Sequence, residues 1–226
     1  MIGLISAFII AMALSVICTP LLIRFLVLHQ YGQFIRQDGP TQHLTKRGTP
    51  TMGGVVIILA TVVAWLIGSA VAGAGPSWSG LLLVFLFVGL GVIGLLDDGI
   101  KIMRQRSLGL HPSGKIIGQV AVASLFALGT LIMPNEFGEY AGTLEISFAR
   151  PTALTLGFAG LGVGVVLYLI WTNLIVTAWS NATNLTDGLD GLAAGVSIFV
   201  FGAYTFITYF QRIQACTQLG ANQSTC

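Results

Sequence analysis

Ser79-Gly-Leu-Leu-Leu-Val-Phe-Leu-Phe-Val-Gly-Leu-Gly-Val-Ile-Gly-Leu-Leu-Asp97-Asp98 decides the fold. No charge falls before Asp97, and roughly 20 apolar residues are what an α-helix needs to cross a ~30 Å hydrocarbon core. Five more runs qualify, at about 3–28, 52–74, 115–133, 153–179 and 191–210. The fifth run along the chain, 153–179, is long enough to tilt or to leave the bilayer. Composition agrees: charged residues make up 8% of the 226 residues and apolar ones 55%, against about 25% charged in soluble domains. Mean hydropathy is +0.89. The expected fold is an all-α polytopic transmembrane helix bundle, a single integral-membrane domain over residues 1–226.

The glycines within these runs, such as Gly89, Gly91, Gly94, Gly160 and Gly164, read as close-packing positions between helices. Net charge is only +2, too small for a nucleic-acid partner. Three cysteines make no disulfide framework: Cys18 reads as core, and Cys216 and Cys226 lie in a polar tail where they could pair. The first apolar run has no basic residue before it and is not expected to be a cleaved leader.

Basic residues set the orientation. Arg24, Arg36, Lys46, Arg47, Lys101, Arg104, Arg106 and Lys115 fall at alternate helix ends on one face, with Arg150 and Arg212 on the other. The positive-inside rule makes the first face cytoplasmic and places the N-terminus outside. Asp38, Asp97, Asp98, Asp187 and Asp190 then lie on the cytoplasmic side, and Glu136, Glu139 and Glu145 outside. The external 134–152 segment contains the strand-like Gly142–Phe148 piece, so a short hairpin is expected there.

Three polar elements converge on the cytoplasmic face. Asp97 and Asp98 end an apolar run, where carboxylates oppose the negative end of the helix dipole, so capping does not explain them. They could pair with Lys101 or Arg104 one turn on. Adjacent acids at a membrane surface also suit a hard divalent cation that bridges to phosphates. Asn181-Ala-Thr-Asn-Leu-Thr-Asp-Gly-Leu-Asp190 packs two carboxylates, two amides and two hydroxyls between apolar runs. Asp187 and Asp190 could cap the sixth helix as a capping box. Capping needs only one or two of these groups, and the surplus suits recognition of a sugar or base. The third element, Arg36–Gly54, is rich in Gly and Pro and leads straight into a helix, a setting in which backbone N–H groups and Lys46 can hold phosphate; His43 reads as a surface residue.

At these positions the chain resembles the phospho-N-acetylmuramoyl-pentapeptide transferases, within the polyprenyl-phosphate N-acetylhexosamine-1-phosphate transferase superfamily. The matching strings are Asp38-Gly-Pro, His43–Gly54, Gly94-Leu-Leu-Asp-Asp98 with Lys101, and Asn181–Ala193. The resemblance implies a Mg²⁺-dependent transfer of phospho-MurNAc-pentapeptide from UDP-MurNAc-pentapeptide to undecaprenyl phosphate, giving lipid I and UMP. It implies about ten spans, of which six are visible here, in a bacterial plasma membrane with a cytoplasmic active site. Membrane lipid surrounds such an enzyme, and a homodimer is admitted as its assembly. By motif match, Asp97 and Asp98 are the catalytic acids and metal ligands, with Lys115 a basic active-site residue. Lys46, Thr51, Asn184, Asp187, Gly188, Leu189 and Asp190 would lie around the nucleotide or phosphates. A further acidic motif and a histidine-rich loop of the family would follow beyond Cys226, so the chain reads as an N-terminal portion and is not expected to be active alone.

Two other readings stand beside this one. A sister enzyme would move GlcNAc-1-phosphate or another sugar phosphate to the same lipid, although the Pro50-Thr-Met-Gly-Gly54 string favours the muramoyl-pentapeptide branch. A cation transporter would place acids near mid-span in discontinuous helices. Here they sit at span ends.

Overall fold

The computed structural model describes residues 2–32, 50–73, 75–106, 108–134, 138, 140–147, 151–187 and 191–218. They fall into two compact units, Met1–Gly142 and Thr143–Cys226. Among the described residues, six helices are long and apolar enough to cross a membrane. The protein is thus an all-α polytopic membrane protein.

The first unit holds α1 (Ile2–Leu28), α2 (Gly54–Val71), α3 (Trp78–Arg104) and α4 (Pro112–Ile132). In lipid every backbone group must be satisfied within the helix, which is why uncharged runs of this length become helices whatever their propensity. Pro20 is tolerated inside α1. α1 and α2 meet through small residues: a Cβ on Gly68 would lie 2.7 Å from both Gly3 O and Ala7 Cβ. Ala60 and Ala64 continue the same buried stripe. Close backbone approach of this kind replaces the hydrophobic driving force that lipid does not supply. α4 is the most enclosed helix. Ala123 and Ala127 are fully buried and Gln119 is 1% exposed. Gly89 faces Val122 and Gly118 faces Ile93 across the α3–α4 seam.

The ends of α3 are well defined. Ser77 caps its start, accepting a hydrogen bond from Gly80 N–H at 3.2 Å. At its end Gln105 takes a left-handed φ of 48°, and Arg106 N–H reaches back to Lys101 O at 3.1 Å while Gln105 N–H reaches Ile102 O at 3.2 Å. This paired closure reverses the chain sharply. Pro112 then opens α4 at a position where its missing N–H costs nothing. α3 therefore runs two turns past the acidic pair, which was expected to end it. Lys101 and Arg104 in the last turn suit the negative helix end and let the helix continue through the carboxylates.

The second unit begins with an antiparallel hairpin, β1 (Glu145–Ser147) and β2 (Pro151–Thr155), in register Glu145 with Thr155 and Ser147 with Pro151. The expected hairpin is present, but its second strand takes residues assigned to the fifth span. A 3₁₀ turn over Leu156–Ala159 follows, then α5 (Leu161–Thr186) and α6 (Leu192–Gln218). Gly160, at φ 102°, makes the turn into α5. The fifth span thus starts at 161 rather than 153, because Pro151–Thr155 pairs as a strand first.

The polar string beginning at Asn181 departs further from expectation. Asn181 to Thr186 are helical, not a loop. Asn181 Nδ2 donates to Thr177 O and Thr186 Oγ1 to Ala182 O, both at 2.8 Å. Bonding to the carbonyl four residues back lets polar side chains stay in a helix. Asp187 is the C-cap of α5, its N–H bonded to Thr183 O at 3.1 Å. It closes α5 and does not cap α6.

Candidate active site

The acidic pair lies near the C-terminal end of α3, held by three contacts from two partners. Lys101 Nζ is 2.7 Å from Asp97 Oδ2 and 2.9 Å from Asp98 Oδ1. The spacings i,i+4 and i,i+3 put all three side chains on one helix face. Leu110 N–H donates to Asp97 Oδ1 at 2.8 Å. The reversal at Gln105 makes that bond reachable, since it turns residues 108–111 back over the last turns of α3. Asp97 is the better shielded acid, its side chain 14% exposed against 33% for Asp98.

The ion pairing foreseen as the plain alternative for these acids is therefore present. It does not exhaust them. Both oxygens of Asp97 are engaged, but among the described residues Asp98 Oδ2 has no hydrogen bond or ion pair. Lys115, half-buried in the first turn of α4, is near enough for its charge to act on Asp97. Two acids and Lys101 thus meet at one helix end, with Lys115 within electrostatic reach.

The start of α2 adjoins this group. A Cβ on Gly99 would lie 3.8 Å from the Met52 methyl. Met52 itself has a left-handed φ of 70°, a strained choice for an unbranched apolar residue. Its neighbour Thr51 has a buried hydroxyl oxygen that has no hydrogen-bond partner among the described residues. Among the described residues a Cβ on Gly53 or Gly54 would meet no atom within 4 Å, while Val55 N–H donates to Met52 O at 3.2 Å and Val56 N–H to Gly53 O at 3.3 Å. The Gly53 and Gly54 N–H groups at this helix start, beside a strained turn, suit a phosphate. The isolated bridge between Gly32 and Pro50 brings the two ends of the 33–49 segment together.

Of the residues singled out from sequence, Asp97, Asp98, Thr51 and Lys115 belong to this first unit. Lys46, Gly188, Leu189 and Asp190, with Asp38 and His43, lie outside the described residues. Asn184 and Asp187 belong to the second unit, exposed at the end of α5. Sequence reasoning missed the backbone donor at Leu110 and the close seat of Gly109. A glycine three residues before Pro112, which opens α4, was the available signal.

A divalent cation such as Mg²⁺ fits these residues within a limit. Among the described residues no group of three or more His, Cys, Asp or Glu could ring a metal. Mg²⁺ usually keeps several waters and takes only one or two carboxylates plus substrate phosphates. Asp98 with its uncommitted oxygen, and Asp97 behind it, supply such a partial set of hard donors.

Helices that cross a membrane, with an acid–base cluster at one helix end and a glycine-rich helix start beside it, define a polytopic membrane protein with a polar surface site. The family model for glycosyl transferase family 4 matches residues 80–221, and the phospho-N-acetylmuramoyl-pentapeptide-transferase signature 1 matches residues 46–58. The chain belongs to glycosyl transferase family 4. Relatives named phospho-N-acetylmuramoyl-pentapeptide-transferase include that of Beutenbergia cavernae, 55% identical over 226 residues, covering 100% of this chain and 63% of the relative. That of Paenarthrobacter aurescens is 52% identical over 214 residues, covering 92% and 58%. That of Streptomyces griseus is 44% identical over 219 residues, covering 96% and 60%. The chain spans about 60% of the length of the curated relatives it matches.

Proposed function

We propose that the protein transfers phospho-MurNAc-pentapeptide from UDP-MurNAc-pentapeptide to undecaprenyl phosphate at the cytoplasmic face of a bacterial plasma membrane. An oxygen of the acceptor phosphate attacks the sugar-linked phosphorus of the donor. The pyrophosphate P–O bond breaks, UMP leaves, and lipid I remains in the bilayer. Such a transfer asks a protein mainly for positioning and charge compensation, because little covalent chemistry is left to it.

The observation that carries this reading is the cluster of Asp97, Lys101 and Asp98, with Lys115 within electrostatic reach, beside the glycine start of α2, whose turn belongs to the matched signature. Lys101 and Lys115 place positive charge where phosphate oxygens would gather. Thr51 offers a hydroxyl and Gly53 and Gly54 offer backbone donors to the same groups. Asp98, with Asp97 behind it, would hold Mg²⁺, which supplies neutralisation of phosphate charge when bound. Lys46, Asn184, Asp187, Gly188, Leu189 and Asp190 are assigned to the nucleotide side of the donor.

The test uses the native protein, tagged at its chromosomal locus and purified in detergent. It is offered undecaprenyl phosphate and Mg²⁺ with UDP-MurNAc-pentapeptide or, in parallel, UDP-GlcNAc. UMP release from the muramoyl donor alone is expected. Release from UDP-GlcNAc alone would assign the sister reaction instead.

A further inference from the structure

Gly109 sits where a side chain cannot. A Cβ built on it would overlap Asp97 Oδ1, would lie 2.5 Å from the Asp97 carbonyl oxygen and 2.8 Å from Cγ. One of those atoms is helix backbone, which cannot swing aside. The next residue, Leu110, donates its N–H to Asp97 Oδ1 at 2.8 Å. Lys101 holds the other oxygen at 2.7 Å. Asp97 is thus gripped on both oxygens, one by its own helix and one by the returning strap.

We propose that Gly109 is a positioning residue: the lack of a side chain there lets the 108–111 strap seat its Leu110 N–H on Asp97, which fixes Asp97 and leaves Asp98 to face the ligand. The inference rests on the reading of this cluster as the phosphotransfer site. It divides labour within the acidic pair. Asp97 is the anchored carboxylate. Asp98 is the more exposed one, and its second oxygen has no hydrogen bond among the described residues. A charge-assisted bond from a backbone N–H is short, directional and stronger than a neutral one, so it orients the carboxylate it meets. A site of this kind loses rate when its groups shift by an ångström, even when binding survives.

Gly109→Ala is the direct probe, and Gly114→Ala is its control. A Cβ on Gly114 would meet only Leu110 Cδ2, at 3.9 Å, an ordinary contact. Asp97→Ala removes the acceptor and leaves the strap sequence intact. Two quantities are read on the native protein in detergent: hydrogen exchange at the Leu110 amide, and kcat and donor KM for UMP release. Exchange at Leu110 is expected to quicken about tenfold or more in both Gly109→Ala and Asp97→Ala, and not in Gly114→Ala. Gly109→Ala is expected to lose about tenfold or more in kcat with donor KM changed less than about twofold. Unchanged Leu110 exchange in Asp97→Ala, or wild-type kcat in a folded Gly109→Ala, overturns the proposal. If Gly109→Ala does not fold, exchange in Asp97→Ala decides alone. If the wild type releases no UMP, the functional reading fails, and the exchange comparison still decides whether the strap grips Asp97.

Discussion

Lys101 is the residue on which the charge balance of the site turns. Its ammonium bridges two adjacent carboxylates that would otherwise repel one another. A metal ion or a phosphate entering the site must share that arrangement, because a cation already occupies the space between the acids. Replacing it tests the metal directly. Without divalent cations, Lys101→Gln is expected to lower stability by about 1 kcal/mol at low salt, the scale of a half-exposed ion pair. Mg²⁺ should restore more of the melting temperature in Lys101→Gln than it adds to the wild type, since it would then supply the missing charge. Thermal melts in detergent across a Mg²⁺ titration make the comparison, and equal Mg²⁺ responses would speak against a cation at this pair. The pairing itself was legible from the i,i+3 and i,i+4 spacing. The third grip, from Leu110 N–H, was not. It depends on a chain reversal at Gln105, a residue type that rarely signals a left-handed turn.

Among the elements, α5 departs most from what its sequence suggests. Asn, Thr and Asp before a glycine read as a loop, because these side chains compete with the backbone for hydrogen bonds. Here they bond to carbonyls one turn back and the helix runs on to Thr186. The consequence for Asp187 can be measured. As a helix start cap, its loss would cost roughly 1 kcal/mol. At a helix C-terminus its carboxylate faces the negative dipole end, so Asp187→Asn should leave the melting temperature unchanged or raise stability by about 0.3 kcal/mol. If the residue also faces the nucleotide, the same variant raises the donor KM. Melting curves and donor titration at fixed acceptor separate the effects: a clear drop in melting temperature with unchanged donor titration would restore the capping role and remove the nucleotide one. The opposite error, reading Pro151–Thr155 as part of a span, has a simpler origin. An apolar strand and the edge of an apolar helix share composition, and only the partner strand Glu145–Ser147 tells them apart.

For the molecule as a whole, the spans were plain in the sequence because lipid imposes a single demand, long uncharged runs, that no local propensity overrides. The helix packing was half legible: Gly89 marks a close seam, but Gly160, also read as a packing position, makes the turn into α5, and which helix faces a glycine follows only from the fold. The surface-enzyme reading rests on acids, basic residues and a Gly-rich turn that stand at span ends rather than mid-span in the sequence, as a surface enzyme requires and a transporter does not. The central claim is that the acid pair at the end of α3 performs phosphotransfer, with Asp98 facing the reacting phosphates. Its most direct test is turnover of Asp98→Asn in the native, detergent-purified protein, with UMP release from UDP-MurNAc-pentapeptide measured at saturating Mg²⁺. The substitution keeps shape and removes charge. A fall in kcat on the order of 10²-fold or more with an unchanged melting temperature is the expected result. Near wild-type turnover in a folded Asp98→Asn protein would contradict the account.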